Sequence, residues 1–131
     1  MRDTTGARVL VVDDSTTIQR LMDLTLRPLG IDVEFADNGR DAIRLAQTRH
    51  HDVIFLDVIL PGVDGYRVCA QIKGHKKSKR TPVIMLTSRD SAFDKVRGIM
   101  AGTDVYLTKP LDRSKLITAL KKYIPGIGTK F

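Results

Sequence analysis

The chain has 131 residues, a length that corresponds to about one domain. Apolar residues make up 42% of it, which excludes a disordered composition, and its net charge of +7 allows acidic partners. The single cysteine, Cys69, excludes an internal disulfide, and no apolar run approaches the ~20 residues that span a bilayer. Residues 1–6 lack the apolar core of a signal peptide, so we expect a cytoplasmic protein without membrane insertion.

Five apolar segments predict β-strands. A weaker run at residues 31–36 alternates apolar and polar side chains, which is typical of a strand near the edge of a sheet. The other four runs do not alternate, and they predict strands that are buried on both faces of a parallel sheet. These runs comprise residues 9–12, 53–56, 83–86 and 105–107.

Helical patterns separate the strands. An apolar stripe from Ile18 to Leu29 has the 3.6-residue spacing of a helix, with Ser15 placed to cap its start and Gly30 its end. Further helices are predicted over residues 38–48, 64–73 and 90–101 and from Asp112 to about residue 123. The alternation predicts a doubly wound α/β domain over residues 7–124, between an N-terminal extension (1–6) and a C-terminal tail (125–131). We expect a five-stranded parallel sheet of order 2-1-3-4-5 and five helices.

Polar side chains follow the buried strands at the point where each strand ends. Asp13 and Asp14 follow the first strand and Asp57 the third, while Thr87 and Lys109 follow the fourth and fifth. In an open α/β sheet, sites form outside the carboxyl ends of the strands, where the strand order reverses. Each residue alone has an ordinary structural explanation, such as helix capping for Asp14. Five of them at one edge of the sheet favour a site.

The residue types at this edge indicate phosphoryl transfer. Three clustered carboxylates repel one another unless a cation lies between them, and Mg²⁺ prefers such oxygen ligands. Lys109 adds a positive charge and Thr87 a hydroxyl donor. These groups together can stabilise a transferring phosphoryl group, and an aspartate can itself accept it. We therefore expect Mg²⁺ as the cofactor.

Four segments of the chain resemble the receiver domains of two-component response regulators. They read VLVVDDS from residue 9, DVIFLDVILPGVDGY from residue 52, TPVIMLTS from residue 81 and YLTKP from residue 106. The resemblance covers residues 7–124, and it implies a stand-alone, CheY-like receiver with a flavodoxin-like fold. Residues 91–95, SAFDK, are similar to the twitching-motility or type IV pilus subgroup.

The resemblance implies how the aspartates would act. Asp57 would accept a phosphoryl group from a sensor histidine kinase or a phosphotransfer protein. Asp14, Asp57 and the backbone carbonyl of Ile59 would bind Mg²⁺ directly, and Asp13 would bind it through a water. Beyond its own phosphorylation and dephosphorylation, such a receiver is not an enzyme.

The resemblance also implies how the signal would leave the site. Lys109 would pair with the phosphoryl oxygens, and its peptide bond to Pro110 would be cis. Thr87 and Tyr106 would form the switch, because the hydroxyl moves toward the phosphate and the ring then changes its rotamer. A downstream protein target would bind the face of the predicted fourth helix, fifth strand and fifth helix. Basic side chains on this face predict an acidic or mixed partner surface: Lys95, Arg97, Lys115, Lys121 and Lys122.

Alternative functions stay open. The chain could act as a phosphorelay intermediate, which passes its phosphoryl group on. Its charge also allows nucleic-acid binding, but the basic run at residues 73–80 has no aromatic side chain for base stacking, so nucleic acid ranks well below the receiver. A phosphatase that needs Asp-x-Asp after the first strand does not fit Asp13-Asp14-Ser15.

Residues outside the motifs have ordinary interpretations. Cys69 lies on a predicted helix, and we interpret it as a core residue. The histidines show no metal-ligand spacing and are interpreted as solvated: His50, His51 and His75.

Overall fold

The computed structural model describes residues 6–88, 96–97, 99 and 101–127. Its strands are β1 (Arg8–Val12), β2 (Asp32–Ala36), β3 (Val53–Asp57), β4 (Ile59–Leu60), β5 (Val63–Asp64), β6 (Val83–Thr87) and β7 (Val105–Thr108). Five of these strands form a parallel sheet of order β2-β1-β3-β6-β7, which confirms the predicted 2-1-3-4-5 order. β4 and β5 form an antiparallel hairpin that was not predicted.

Four α-helices lie entirely within the described residues, whereas five were predicted. They are α1 (Thr16–Leu26), α2 (Gly39–Thr48), α3 (Gly65–Gly74) and α4 (Arg113–Leu120). The predicted helix over residues 90–101 lies mostly outside the described residues. A 3-10 helix (Arg27–Leu29) follows α1, because Pro28 lacks the N–H that the α-helix would need to continue. No helix in the described ranges is long and apolar enough to cross a membrane.

Side-chain caps fix where the α-helices begin. Each cap accepts a hydrogen bond from a backbone N–H in the first turn, and the capping residues are Ser15, Asn38, Asp64 and Asp112. Ser15 is the cap that the sequence predicts. Gly30 ends the 3-10 helix with a φ of 80°, a left-handed conformation that glycine adopts without a steric penalty.

Apolar side chains form a core on each face of the main sheet. Alternate residues of β1 belong to different cores: Val9 and Val11 face one, and Leu10 and Val12 face the other. The first core packs under α1 and α4 and extends past α4 to include Ile127. The second packs under α2 and α3, and its members include Cys69, which is 0% exposed and confirms the core interpretation.

Two predictions about burial are wrong. β7 is the far edge strand, and all four of its residues are half-buried rather than covered on both faces. His51 is 1% exposed rather than solvated, and its Nε2 lies 2.7 Å from Oε1 of Glu34 on β2. The Glu34 carboxylate gives His51 the hydrogen-bond partner that a buried polar side chain requires.

Candidate functional site

The carboxyl ends of β1 and β3 bring three aspartates together. Val12 and Leu56 are paired in register, so Asp13 and Asp57 leave the sheet beside each other. One carboxylate oxygen from each of Asp13, Asp14 and Asp57 lies within 4.8 Å of the other two. Asp13 and Asp57 are buried, whereas Asp14 is exposed. The cluster is therefore accessible from solvent on the Asp14 side.

Lys109 supplies positive charge to this cluster. Its Nζ donates hydrogen bonds to Asp13 Oδ2 and to Asp57 Oδ2, each at 3.2 Å. The backbone N–H of Lys109 donates to the carbonyl of Thr87 at 2.7 Å, which fixes the loop after β7 against the end of β6. The Lys109–Pro110 peptide is cis, as the resemblance implied.

Asp13 is held by hydrogen bonds with the start of α1 and with β2. Its Oδ1 accepts from the backbone N–H of Ser15 at 2.8 Å, and its carbonyl accepts from Gln19 Nε2 at 2.7 Å. Its own N–H donates to the carbonyl of Ala36 on β2. The bonds from the Ser15 N–H and from Lys109 Nζ reach the carboxylate itself and offset the cost of burying it at 0% exposure.

The Asp57 carboxyl group resists ionisation. Burial raises its pKa, and the neighbouring Asp13 charge raises it further. The Ile59 N–H, 3.2 Å from Asp57 Oδ1, and the Lys109 ammonium lower the pKa without cancelling these effects. Burial also lowers the pKa of Lys109, but the charges of Asp13 and Asp57 outweigh it, so the pKa is raised. With three carboxylates around one ammonium, the site favours a further cation.

Thr87 and Tyr106 lie on the neighbouring strands β6 and β7. Thr87 ends β6, is 1% exposed, and lies one residue beyond the β6 partner of Asp57. It pairs across the sheet with Thr108, two residues after Tyr106. The Tyr106 hydroxyl forms a hydrogen bond with the hydroxyl of Tyr66 at the start of α3. Thr87 therefore lies on the strand next to that of Asp57, and Tyr106 lies on the edge strand beyond it.

The segment after Asp57 is pressed against the start of α3. Gly65 N donates to the carbonyl of Val58 at 2.7 Å. A Cβ atom at Gly65 would lie 2.2 Å from the Asp57 carbonyl oxygen, a distance that no side chain tolerates. The glycine therefore permits α3 to begin directly behind the site. Ile59, between them, exposes 55% of its surface next to the cluster.

The structure brings the predicted site residues to the predicted edge of the sheet. Contacts join Asp13, Asp57 and Lys109, and Asp14 completes the acidic cluster. Tyr106 instead belongs to a second cluster with Tyr66, which sequence reasoning missed. Two residues 40 positions apart leave no periodic signal of such a contact.

The family model for the response regulator receiver domain matches residues 9–121. The chain belongs to this family. It is 44% identical over 121 residues to Protein PilG of Pseudomonas aeruginosa, an alignment that covers 92% of this chain and 90% of PilG. The receiver model thus spans all three aspartates, Thr87, Tyr106 and Lys109.

Solved structures resemble this receiver in fold and sequence. Chemotaxis protein CheY4 of Vibrio cholerae has a TM-score of 0.84 and 35% identity, over 89% of this chain and 98% of that one. The receiver domain of a sensor histidine kinase from Pseudomonas aeruginosa has a TM-score of 0.83 and 33% identity, over 91% of this chain and 98% of that one. That structure has a magnesium ion coordinated in its active site cleft. The clustered carboxylates of this receiver are donors of the type that Mg²⁺ prefers.

Proposed function

We propose that this receiver accepts a phosphoryl group on Asp57 from a sensor histidine kinase or a phosphotransfer protein. The position of Asp57 carries the proposal. It ends the central strand β3, with one oxygen 3.2 Å from the Lys109 ammonium, and it belongs to the three-aspartate cluster. A carboxylate in this setting can serve as a nucleophile whose product is stabilised by fixed charges.

The chemistry follows from these contacts. An Asp57 oxygen would attack the phosphorus of a phosphohistidine, forming a P–O bond as the P–N bond breaks. The imidazole nitrogen would keep the bonding electron pair. Lys109 would donate to the phosphoryl oxygens, so its hydrogen bond to Asp57 would be replaced by one to the new group. The buried Asp13 keeps the ammonium near the site throughout, because it accepts from the same Nζ.

The donor set fits Mg²⁺. The ion would be held by Asp14, Asp57 and the backbone carbonyl of Ile59, with Asp13 acting through a water. Three oxygen donors within 4.8 Å carry more negative charge than Lys109 offsets, and the exposed Asp14 provides access. When bound, Mg²⁺ supplies positive charge to the phosphoryl oxygens.

Thr87 and Tyr106 would convert phosphorylation into a change of surface. The Thr87 hydroxyl would bond to a phosphoryl oxygen, an interaction that only the phosphorylated state offers. Tyr106, on the adjacent strand, would then change its ring position. The downstream partner would bind the face of residues 90–101, β7 and α4. The exposed Lys121 and Lys122 favour an acidic or mixed partner surface.

The pathway is a finer proposal. The 44% identity to PilG supports the twitching-motility or type IV pilus subgroup, to which residues 91–95 pointed. The stand-alone organisation, the domain bounds of 7–124 and the cytoplasmic location stay predictions. So does the limitation of its chemistry to its own phosphorylation and dephosphorylation.

Phosphorylation by acetyl phosphate tests the central proposal. Intact-mass measurement with Mg²⁺ should show one added phosphoryl group, stable in acid and labile in base. Asp57→Asn should show none, and Asp23→Asn, which changes an exposed carboxylate on α1, should match the parent chain. Labelling of Asp57→Asn at another single site would remove Asp57 from its role. Onward transfer to a phosphotransfer protein without any change at Tyr106 would favour the phosphorelay intermediate.

A further inference from the structure

Tyr106 contacts a second tyrosine in the first turn of α3. The hydroxyl groups of Tyr66 and Tyr106 are hydrogen-bonded to each other. Tyr66 is 3% exposed, so its hydroxyl is fixed within the core under α3. Tyr106 is only half-buried. The bond therefore joins a fixed side chain to the one that the proposed switch requires to move.

Arg97 packs against the Tyr66 ring. Its guanidinium lies over the ring, 4.5 Å from the centroid, and it forms an ion pair with Asp64. Asp64 also caps α3, because its Oδ1 accepts from the Tyr66 N–H at 2.8 Å. One charged group thus restrains Tyr66 both through its ring and through its helix cap.

Tyr66 is also tied to the phosphorylation site through the backbone. It follows Gly65, whose N–H donates to the Val58 carbonyl and whose α-carbon packs against the Asp57 carbonyl. The Tyr66 hydroxyl therefore has a set position relative to Asp57. This gives a path from Asp57 to Tyr106 that does not pass through Thr87.

We propose that Tyr66 is a positioning residue that holds the Tyr106 ring in one of its positions, and that the Arg97–Asp64 pair locks Tyr66 in place. This inference rests on the proposed function, in which the Tyr106 position reports the state of Asp57. An equilibrium shifts only through interactions that differ between its states. The bond to Tyr66 exists only while the Tyr106 hydroxyl points to α3. One such bond changes the ratio of the two positions by about threefold to tenfold.

NMR of ring-labelled tyrosine tests this role directly. The chain has only three tyrosines, so the Tyr66, Tyr106 and Tyr123 signals can be assigned by substitution. Tyr66→Phe keeps the ring beneath Arg97 and removes the hydroxyl. Without any phosphoryl mimic, it should lower the ratio of bonded to unbonded Tyr106 positions by about threefold to tenfold. Tyr123→Phe is the matched control, which removes a hydroxyl elsewhere and should leave the Tyr106 signal as in the parent chain.

The locking pair is tested by a second variant. Asp64→Asn keeps a residue that caps helices well and removes the charge that holds Arg97. It should shift the Tyr106 signal in the same direction as Tyr66→Phe. A signal that stays at the parent position would show that the Arg97–Asp64 pair does not hold Tyr66 in place.

The outcomes separate this inference from the proposed function. An unmoved Tyr106 signal in Tyr66→Phe, while Asp57 still accepts phosphate, would overturn the positioning role alone. A drop in melting temperature without movement of Tyr106 would assign Tyr66 a purely structural role, which also overturns it. Failure of Asp57 to accept phosphate would overturn the proposed function, and the spectrum without mimic would still measure the Tyr66 contact.

Discussion

The Lys109 ammonium lies 3.2 Å from the Asp57 carboxylate, although 52 positions separate the two residues in the chain. The same Nζ contacts Asp13, whose side chain is fully buried. Lys109 therefore keeps two buried carboxylates from facing each other without a counter-charge, besides its proposed contact with phosphate. The site combines groups that are useful for phosphoryl transfer with groups that cost stability.

Neutralising Asp57 should stabilise the fold. The raised pKa means that the folded chain gains stability from Asp57 only below the unfolded pKa, about 3.9, and loses it as the pH rises through the folded pKa. At neutral pH, Asp57→Asn should therefore raise the free energy of unfolding by about 1 kcal/mol. Urea unfolding without divalent cations measures this.

The same experiment has a built-in control. The difference between Asp57→Asn and the parent chain should shrink as the pH falls through the raised pKa of the folded Asp57 toward the unfolded value of about 3.9. Asp23→Asn changes an exposed carboxylate and should stay within about 0.5 kcal/mol of the parent chain. Destabilisation by Asp57→Asn at neutral pH would contradict the inference that the charge of Asp57 destabilises the folded chain.

Mg²⁺ affinity should depend on Asp14 more than on Asp13. Of these two residues, only Asp14 is assigned a direct bond to the ion, and its carboxylate is the exposed one of the cluster. Asp14→Asn should weaken binding by about tenfold or more, whereas Asp13→Asn should weaken it less, since outer contacts orient rather than bind. Calorimetric titration at constant ionic strength gives both affinities. Equal losses would show that the two carboxylates share the ion.

Thr87→Ala should separate phosphorylation from signalling. The hydroxyl of Thr87 lies beyond the β6 partner of Asp57, so its loss should leave Asp57 able to accept phosphate. Beryllofluoride should then shift Tyr106 far less than it does in the parent chain. Thr108, on the neighbouring strand β7, pairs with Thr87. Thr108→Ala is therefore the matched control and should respond like the parent chain. NMR signals along α2 (Gly39–Thr48) should stay nearly unchanged in all three proteins.

Gly65 and Gly74, at opposite ends of α3, should respond in opposite ways to alanine. A Cβ at Gly65 would overlap the Asp57 carbonyl, so Gly65→Ala should cost about 3 kcal/mol or more through forced backbone movement. Gly74 has open space around it, and Gly74→Ala should stabilise the chain by about 0.5–1 kcal/mol. Thermal unfolding of the two variants checks both signs.

The buried His51 should make stability depend on pH. Burial lowers its pKa despite the Glu34 carboxylate, so the unfolded chain binds the proton more readily. Stability should therefore be complete above the unfolded pKa of about 6.5 and fall as the pH drops through that value toward the folded pKa. His51→Gln should reduce this dependence, whereas His50→Gln, at an exposed side chain, should retain it. Denaturant midpoints between pH 5 and 8 give the comparison.

The positions of the central strands were predictable from the sequence, because a strand that is buried on both faces is a continuous apolar run. Continuous apolar runs located β1, β3 and β6, and the polar residues that end them located the site. The β4–β5 hairpin has only two residues in each strand, too few to show any period. β7 shares the apolar pattern of the central strands and yet is only half-buried, since an apolar run does not by itself distinguish an edge strand from a central one.

Contacts between side chains were harder to predict from the sequence. The burial of His51 depends on its contact with Glu34. The alternating pattern of β2 indicated only that Glu34 lies on the polar face of that strand. The cluster of Tyr66, Arg97 and Asp64 depends on a contact between Asp64 and Arg97, which lie 33 positions apart in the chain. Such contacts follow from packing rather than from local sequence.

Arg97 belongs both to the proposed output face and to the Tyr66 cluster. Its side chain is 35% exposed, so an acidic partner would compete with Asp64 for the same guanidinium. A partner that draws Arg97 away would loosen the hold on Tyr106. Thermodynamic linkage then requires reciprocity: the factor by which the Tyr106 position changes the partner's affinity is the factor by which the partner changes the Tyr106 position. A partner bound to the output face would in this way affect Asp57 as well, and the coupling between the two sites would act in both directions.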